Sequence, residues 1–176
     1  MARSSCKPSM ARAMRSLATE TFNNATTRTT YGLFNRPTSV TTAHGHTARL
    51  CYDARGNPTG THNALGHTTS MAYDSRGLMT RSEDENGLVS TYRYNRQGLL
   101  SAMTRTPPPG GGEPRTATYD YDAAGNMIRT AAADGVIASM RYDARGRLLS
   151  IEDNLGQRVD LTYVAPTPAH RSYAGT

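Results

Sequence analysis

The sequence is poor in the residues that build hydrophobic cores. Leu, Ile, Val and Phe together number 22 of 176 residues, below the roughly 20% under which chains fail to assemble a packed interior. Disorder is therefore the first alternative to an ordinary globular domain. Cysteine is almost absent as well: Cys6 and Cys51 stand far apart, with no CxxC and no metal-ligand spacing, so neither a disulfide framework nor a metal module follows from them. No apolar run approaches the roughly 18 residues of a membrane-spanning helix. Residues 1–30 also lack the apolar core of a secretory signal, so localisation stays open.

Excess charge is scarce where it would matter. The net charge of +6 is too small for strong self-repulsion. Four of the six charges fall in residues 1–30, where Arg3, Lys7, Arg12, Arg15 and Arg28 face only Glu20. Residues 31–163 hold 14 Arg against 13 acids, and Arg171 supplies the remainder. A nucleic-acid binder carries its basic stripe on the folded part, so a nearly neutral body argues against nucleic acid as a partner. The leader contains MARAMRSLATETF, in which Met10, Met14 and Leu17 share one helical face among arginines. Such a pattern resembles an organelle transit peptide or a spurious start ahead of a gene fragment, and the second reading is preferred. Residues 1–30 are expected to be an irregular basic leader, disordered or briefly helical.

Against these absences stands a repeat. Tyr31, Tyr52, Tyr73, Tyr94, Tyr121, Tyr142 and Tyr163 follow one another every 21 residues, with one interval of 27. The long interval holds TPPPGGGEP at 106–114, a Pro/Gly insertion suited to a loop outside the frame. Four residues after each tyrosine come Asn35, Gly56, Gly77, Gly98, Gly125 and Gly146. Fourteen after it come Gly45, Gly66, Gly87, the Pro/Gly gap, Gly135 and Gly156. Asn tolerates φ > 0 next best after Gly, so Asn35 marks a position that needs left-handed backbone.

The columns of the repeat predict its fold. Two residues before the tyrosines stand Thr29, Leu50, Met71, Tyr92, Tyr119, Met140 and Leu161, while mostly polar residues stand one before. That alternation of period two is a half-buried strand. Four before, small residues such as Ala48, Ser90 and Ala138 share the same face and permit close stacking. After the tyrosine comes Asp53, Asp74, Asn95, Asp122 or Asp143, an Asx residue whose side chain accepts a backbone N–H two residues on, ahead of a type I turn and a left-handed glycine with a bulge. A second short strand follows, closed near DNLG, DENG or AADG by the second glycine. The expected fold is all-β, an antiparallel meander of β-hairpins with a 21-residue period and about twelve strands. It comprises six repeats over 31–163 and a disordered tail over 164–176. Burying one tyrosine per unit cannot offset the entropy of ordering 21 residues, so neighbouring hairpins must complete one another.

The stretches YDARGNPTGTHNALGHTTSMAYDSRGLMT and YDYDAAGNMIRTAAADGVIASMRYDARGRLLSIEDNLGQ resemble the YD repeats of the Rhs family, shared with the teneurins of animals. The resemblance covers about 31–163. It implies a β-sheet ribbon that spirals into a hollow shell, this chain supplying an arc of it. In the bacterial relatives, which are secreted or cell-surface proteins, that shell encloses a C-terminal toxin, and some YD-repeat proteins bind carbohydrate. The bacterial proteins also carry many more repeats, an Asp-Pro-x-Gly core motif and a toxin domain. This chain has no Asp-Pro dipeptide, and Val164 replaces the Asp after Tyr163 before the sequence runs into APTPAHRSYAGT. A fragment or remnant of a longer protein is the expectation.

The repeat also sets polar side chains in rows that could carry sharper chemistry. The turn aspartates Asp53, Asp74, Asp122 and Asp143 form a row that calcium would suit, but without closely spaced acids the Asx turn is the better reading. His46 and His67 share a column after the second glycine, with His44 and His62 nearby, an arrangement that invites zinc; solvated hairpin ends are the preferred account. Nucleophile, base and orienting group do not converge in any recognisable motif, so no enzyme activity and no cofactor is expected. Tyrosine rows on a sheet would also make a sugar platform, yet the alternation puts Tyr52, Tyr73, Tyr94, Tyr121 and Tyr142 on the buried side, as packing. The expected function is a non-enzymatic structural array, part of an Rhs-type toxin shell that encloses or presents an effector. The alternative is a carbohydrate-binding or adhesive surface module. Expected partners are further repeats, an effector domain, and other copies joined through open sheet edges.

Overall fold

The computed structural model describes residues 17–22 and 25–163. Fourteen strands among the described residues follow one another in chain order, all antiparallel to their neighbours. They fall into two compact units that divide between Ala117 and Thr118. The first holds β1 (Leu17–Phe22), β2 (Ala25–Tyr31), β3 (Pro37–Thr41), β4 (Thr47–Tyr52), β5 (Pro58–His62), β6 (Thr68–Tyr73), β7 (Met79–Glu83), β8 (Val89–Tyr94) and β9 (Leu100–Thr106), and the start of β10 (Arg115–Tyr121). The remainder of β10 opens the second, followed by β11 (Met127–Ala131), β12 (Ile137–Tyr142), β13 (Leu148–Asp153) and β14 (Arg158–Asp160). The fold class is the all-β meander that the alternation predicted.

Six of the repeat tyrosines sit at a bulge. Register shifts between Thr30 and Tyr31, Cys51 and Tyr52, Ala72 and Tyr73, Arg93 and Tyr94, Asp120 and Tyr121, and Arg141 and Tyr142. The extra residue on the returning strand lets the turn glycine adopt positive φ without splaying the hairpin. Gly56 has φ +84, and Asn35 in the equivalent place has φ 54, next to Phe34 at 59. Opposite the tyrosines stand Pro37, Pro58, Met79, Leu100, Met127 and Leu148.

Burial follows the alternation but stays shallow. Leu50, Met71, Tyr92, Tyr119 and Met140 are half-buried, whereas Ala72, Arg93, Asp120 and Arg141 are exposed on the other face. No apolar side chain among the described residues is fully enclosed, and the buried polar ones are Ser90 and Ser150. A deficit of large aliphatic residues thus leads to sheets whose order rests on ladders and turns.

Three features depart from the sequence reading. Regular structure begins before residue 31: β1 and β2 pair from Leu17↔Thr30 to Phe22↔Ala25, so Leu17 is in a strand, while Met10 and Met14 lie outside the described residues. The cause is local, since Thr19, Thr21, Thr26, Thr27, Thr29 and Thr30 are β-branched and favour extended backbone. Cys51 is disulfide-bonded, which spacing did not anticipate; Cys6 lies outside the described residues. The insertion occupies 107–114, because Thr106 belongs to β9, and a turn with Gly111 N–H donating to Pro108 O at 2.9 Å folds it. The expected tail at 164–176 falls outside the described residues. No helix among the described residues is long and apolar enough to cross a membrane.

Candidate functional site

The side chains that recur in every repeat are used in binding the array to itself. In the turn after each tyrosine, Asp53 Oδ1 accepts the N–H groups of Arg55 and Asn57 at 2.9 and 2.8 Å. Asp74 does the same for Arg76 and Leu78, Asn95 for Gln97 and Leu99, Asp122 for Ala124 and Asn126, and Asp143 for Arg145 and Arg147. The second carboxylate oxygen is occupied too, by the Asn57 and Asn126 amides at 2.9 Å each and by the Arg76 and Arg147 Nε at 3.0 and 2.7 Å. These aspartates are held below the usual carboxylate range. The leading cause is the Asn57 or Asn126 side chain for Asp53 and Asp122, and the Leu78 or Arg147 backbone N–H for Asp74 and Asp143. Both oxygens being engaged, the row presents no open carboxylates to calcium.

The opposite hairpin ends use the same device, which the sequence reading missed. Asn63 accepts from Leu65 and His67, Asp84 from Asn86 and Leu88, and Asp153 from Leu155 and Gln157. The signal was present: Asn63, Asp84 and Asp153 all stand eleven residues after a tyrosine. Gly45, Gly66, Gly87, Gly135 and Gly156 close these turns, and Gly77, Gly98, Gly125 and Gly146 close the first kind, all with φ between +75 and +89.

Three tyrosines tie their hairpins to the one before. Tyr94 donates its hydroxyl to Met79 O, Tyr142 to Met127 O and Tyr163 to Leu148 O, each at 2.8 Å and each fifteen residues back. Tyr73 instead points its hydroxyl at the Met71 sulfur, 3.9 Å away. Burial pushes the Tyr73, Tyr94 and Tyr121 phenols up. Arg36 lies over the Tyr52 ring at 5.5 Å and Arg147 over Tyr163 at 4.4 Å, a cation–π contact. Side chains also reach sideways between turns. The Arg55 guanidinium donates to Ser75 O and Arg76 to Asn95 O at 3.2 Å. A Cβ on Gly98 would stand 3.7 Å from Leu78, and one on Gly146 3.5 Å from Asn126, ordinary contact distances, so positive φ and not space reserves these positions for glycine.

The histidine column does not assemble as its spacing suggested. His67 Nδ1 sits 3.4 Å from Glu85, while His46 and His62 line one groove with Arg49. Residues of one column are two strands apart, about 10 Å, whereas antiparallel neighbours bring different columns together. No group of three or more His, Cys, Asp or Glu side chains that could hold a metal ion occurs among the described residues.

A family model described as Teneurin YD-shell matches residues 12–171. The fold is similar to that of solved Tc toxin structures. TcdB2-TccC3 without its hypervariable C-terminal region shares 23% identity at a TM-score of 0.61, covering 72% of this chain and 7% of that one. The Tc holotoxin pore of Photorhabdus luminescens gives 23% and 0.60 with the same coverage. TcdB2-TccC3-TEV gives 16% and 0.63 over 78% of this chain and 8% of that one. This chain therefore spans less than a tenth of the length of these solved chains. No curated protein matches it.

Proposed function

Because the chain belongs to the teneurin YD-shell family, a structural shell role is its starting point, and we propose that it walls off or presents an effector domain carried elsewhere in a longer protein, without catalysing a reaction itself. The observation that supports this reading is the use of the recurring polar groups. Turn carboxylates accept backbone N–H groups, tyrosine hydroxyls meet the carbonyls of the preceding hairpin, and turn arginines reach the next turn. A surface evolved for turnover keeps its reactive groups free and convergent. Here they form rows and hold rows together. A TccC3 structure solved without a hypervariable C-terminal region makes a variable C-terminal effector the kind of domain to look for.

The alternative, a carbohydrate-binding or adhesive module, needs tyrosine faces and turn carboxylates available to sugars. Engagement of the Tyr94 and Tyr142 hydroxyls by backbone weighs against it. The mass of the native product tests the reading. An immunoblot of source cells with an antibody to residues 121–163 is expected to show a band far above 19.0 kDa. A band near that mass would refute the shell-segment role, and glycan-array binding lost on Tyr94→Ala with the fold intact would favour the adhesive module.

A further inference from the structure

The groove that holds His46 and His62 has chemistry the shell role does not use. It measures about 360 Å³ at the end of β4 and β5, lined also by Thr47, Arg49 and Asn63, with no acid among its lining residues. Arg49 and His62 face each other across the strands. The Arg49 guanidinium has no acid or acceptor partner among the described residues. Asn63 uses its Oδ1 on the Leu65 and His67 N–H groups at 3.0 and 2.9 Å, which leaves its amide N–H₂ as a donor.

The same groove recurs in the second unit, at equivalent positions counted from the tyrosines. There it measures about 310 Å³, with Ser139 for Arg49, Glu152 for His62 and Asn154 for Ala64. Two differences set its character. Asn154 bridges it, donating to Gly135 O and accepting from Ile137 N–H, both at 3.0 Å, and Glu152 pairs at 3.2 Å with Arg158, which it shares with Asp160 at 2.8 Å. In the first unit Ala64 ends at a methyl group and makes no such bridge, and the acid is replaced by an imidazole.

We propose that this first groove binds a doubly charged oxyanion group, sulfate or phosphate, gripped by the forked Arg49 guanidinium and the Asn63 amide, with proton uptake by the imidazoles coupled to binding. A planar guanidinium matches two oxygens of such a group. His62 Nδ1 lies 3.0 Å from Asn63 O; a carbonyl only accepts, so Nδ1 carries the hydrogen. Nε2 of the neutral ring is then a lone pair, which repels an oxyanion, and a second proton converts it to a donor. The surrounding charges favour an anion. On the Arg49 face β2 adds Arg28, across from Thr41, and β3 and β6 add none. The turns add His44, His46 and His67, of which His67 faces Glu85. The next acid on this face, Glu83 across from Ser70, is taken by Arg81 at 2.8 Å. The Arg49 charge beside the two imidazoles disfavours a zinc ion and attracts an anion.

Equilibrium dialysis of radiolabelled sulfate and phosphate against the full chain, at low salt and at about pH 7.5 and about pH 5.5, tests this. Saturable binding of one sulfate per chain is expected, tighter at the lower pH, because sulfate keeps both charges while the imidazoles gain theirs. Inorganic phosphate gains a proton and loses a charge between these two pH values, so an affinity that instead peaks at the higher pH identifies phosphate as the preferred group. Arg49→Gln is expected to weaken binding on the order of tenfold, and His62→Gln to remove most of the gain on acidification. Ala64→Asn, which introduces the bridge seen at Asn154, is expected to reduce binding with an unchanged circular dichroism spectrum, and Arg141→Gln in the second groove to leave it intact. Absence of saturable binding below about 10 mM, wild-type binding by Arg49→Gln, or wild-type binding by Ala64→Asn overturns the proposal.

Discussion

Tyr94→Phe and Tyr142→Phe each delete one oxygen and keep the ring. What they lose is the 2.8 Å hydrogen bond to Met79 O or Met127 O in the preceding hairpin. A neutral hydrogen bond contributes about 1 kcal/mol net, so local opening should become about fivefold more frequent. The column contains its own control. The Tyr52 hydroxyl has no hydrogen-bond partner among the described residues, and its ring lies under Arg36 instead, so Tyr52→Phe removes nothing but a solvated group. Hydrogen exchange read by mass spectrometry is the suitable assay, because repeat arrays open unit by unit and a single unfolding midpoint would average the effect away. Peptides over β7 and β8 should exchange about fivefold faster in Tyr94→Phe, those over β11 and β12 likewise in Tyr142→Phe, and those over β4 and β5 at the wild-type rate in Tyr52→Phe. Equal acceleration in all three variants, or none in the first two, would refute the argument that the hydroxyl ties the hairpins together.

Two further outcomes follow from the turns and the edges. Asp53, Asp74, Asp122 and Asp143 have depressed pKa values in the fold, so their contribution is fully present above the ordinary carboxylate value of about 3.9 and is lost as pH falls through the still lower folded-state values. Acid titration by NMR should move the Arg76 and Leu78 amides while those of Gln97 and Leu99, bound to the uncharged Asn95, stay in place; movement of both pairs together would contradict this linkage. Residues 31–163 produced alone should self-associate through the unpaired edges of β3 and β14, and a monodisperse monomer on size-exclusion chromatography would count against that.

The repeat made most of the local geometry legible. A period of 21 placed Tyr, Asx and Gly in columns, and a column reports an environment even where one window is ambiguous; Asn35 standing for Gly, with φ 54, is the clearest case. What escaped was of two kinds. Leu17–Phe22 lies outside the columns, so its threonine-rich strand was hidden behind an apparent helical stripe. Contacts between repeats were also invisible, because they join different columns: Leu78 against Gly98, Tyr94 against Met79, His46 beside His62. Hydrogen-bond register between strands of different repeats decides such neighbours, and spacing within one repeat does not reveal it.

The Tyr94, Tyr142 and Tyr163 hydroxyls each reach a main-chain carbonyl backwards along the chain, fifteen residues toward the N-terminus. During synthesis the acceptor therefore always emerges before its donor. A nascent chain leaving the ribosome finds, at each new hairpin, a partner that has already set, and needs no segment still to be translated. The array is able to grow like masonry, course upon course, with the exposed edge advancing and never lying far from the point of assembly.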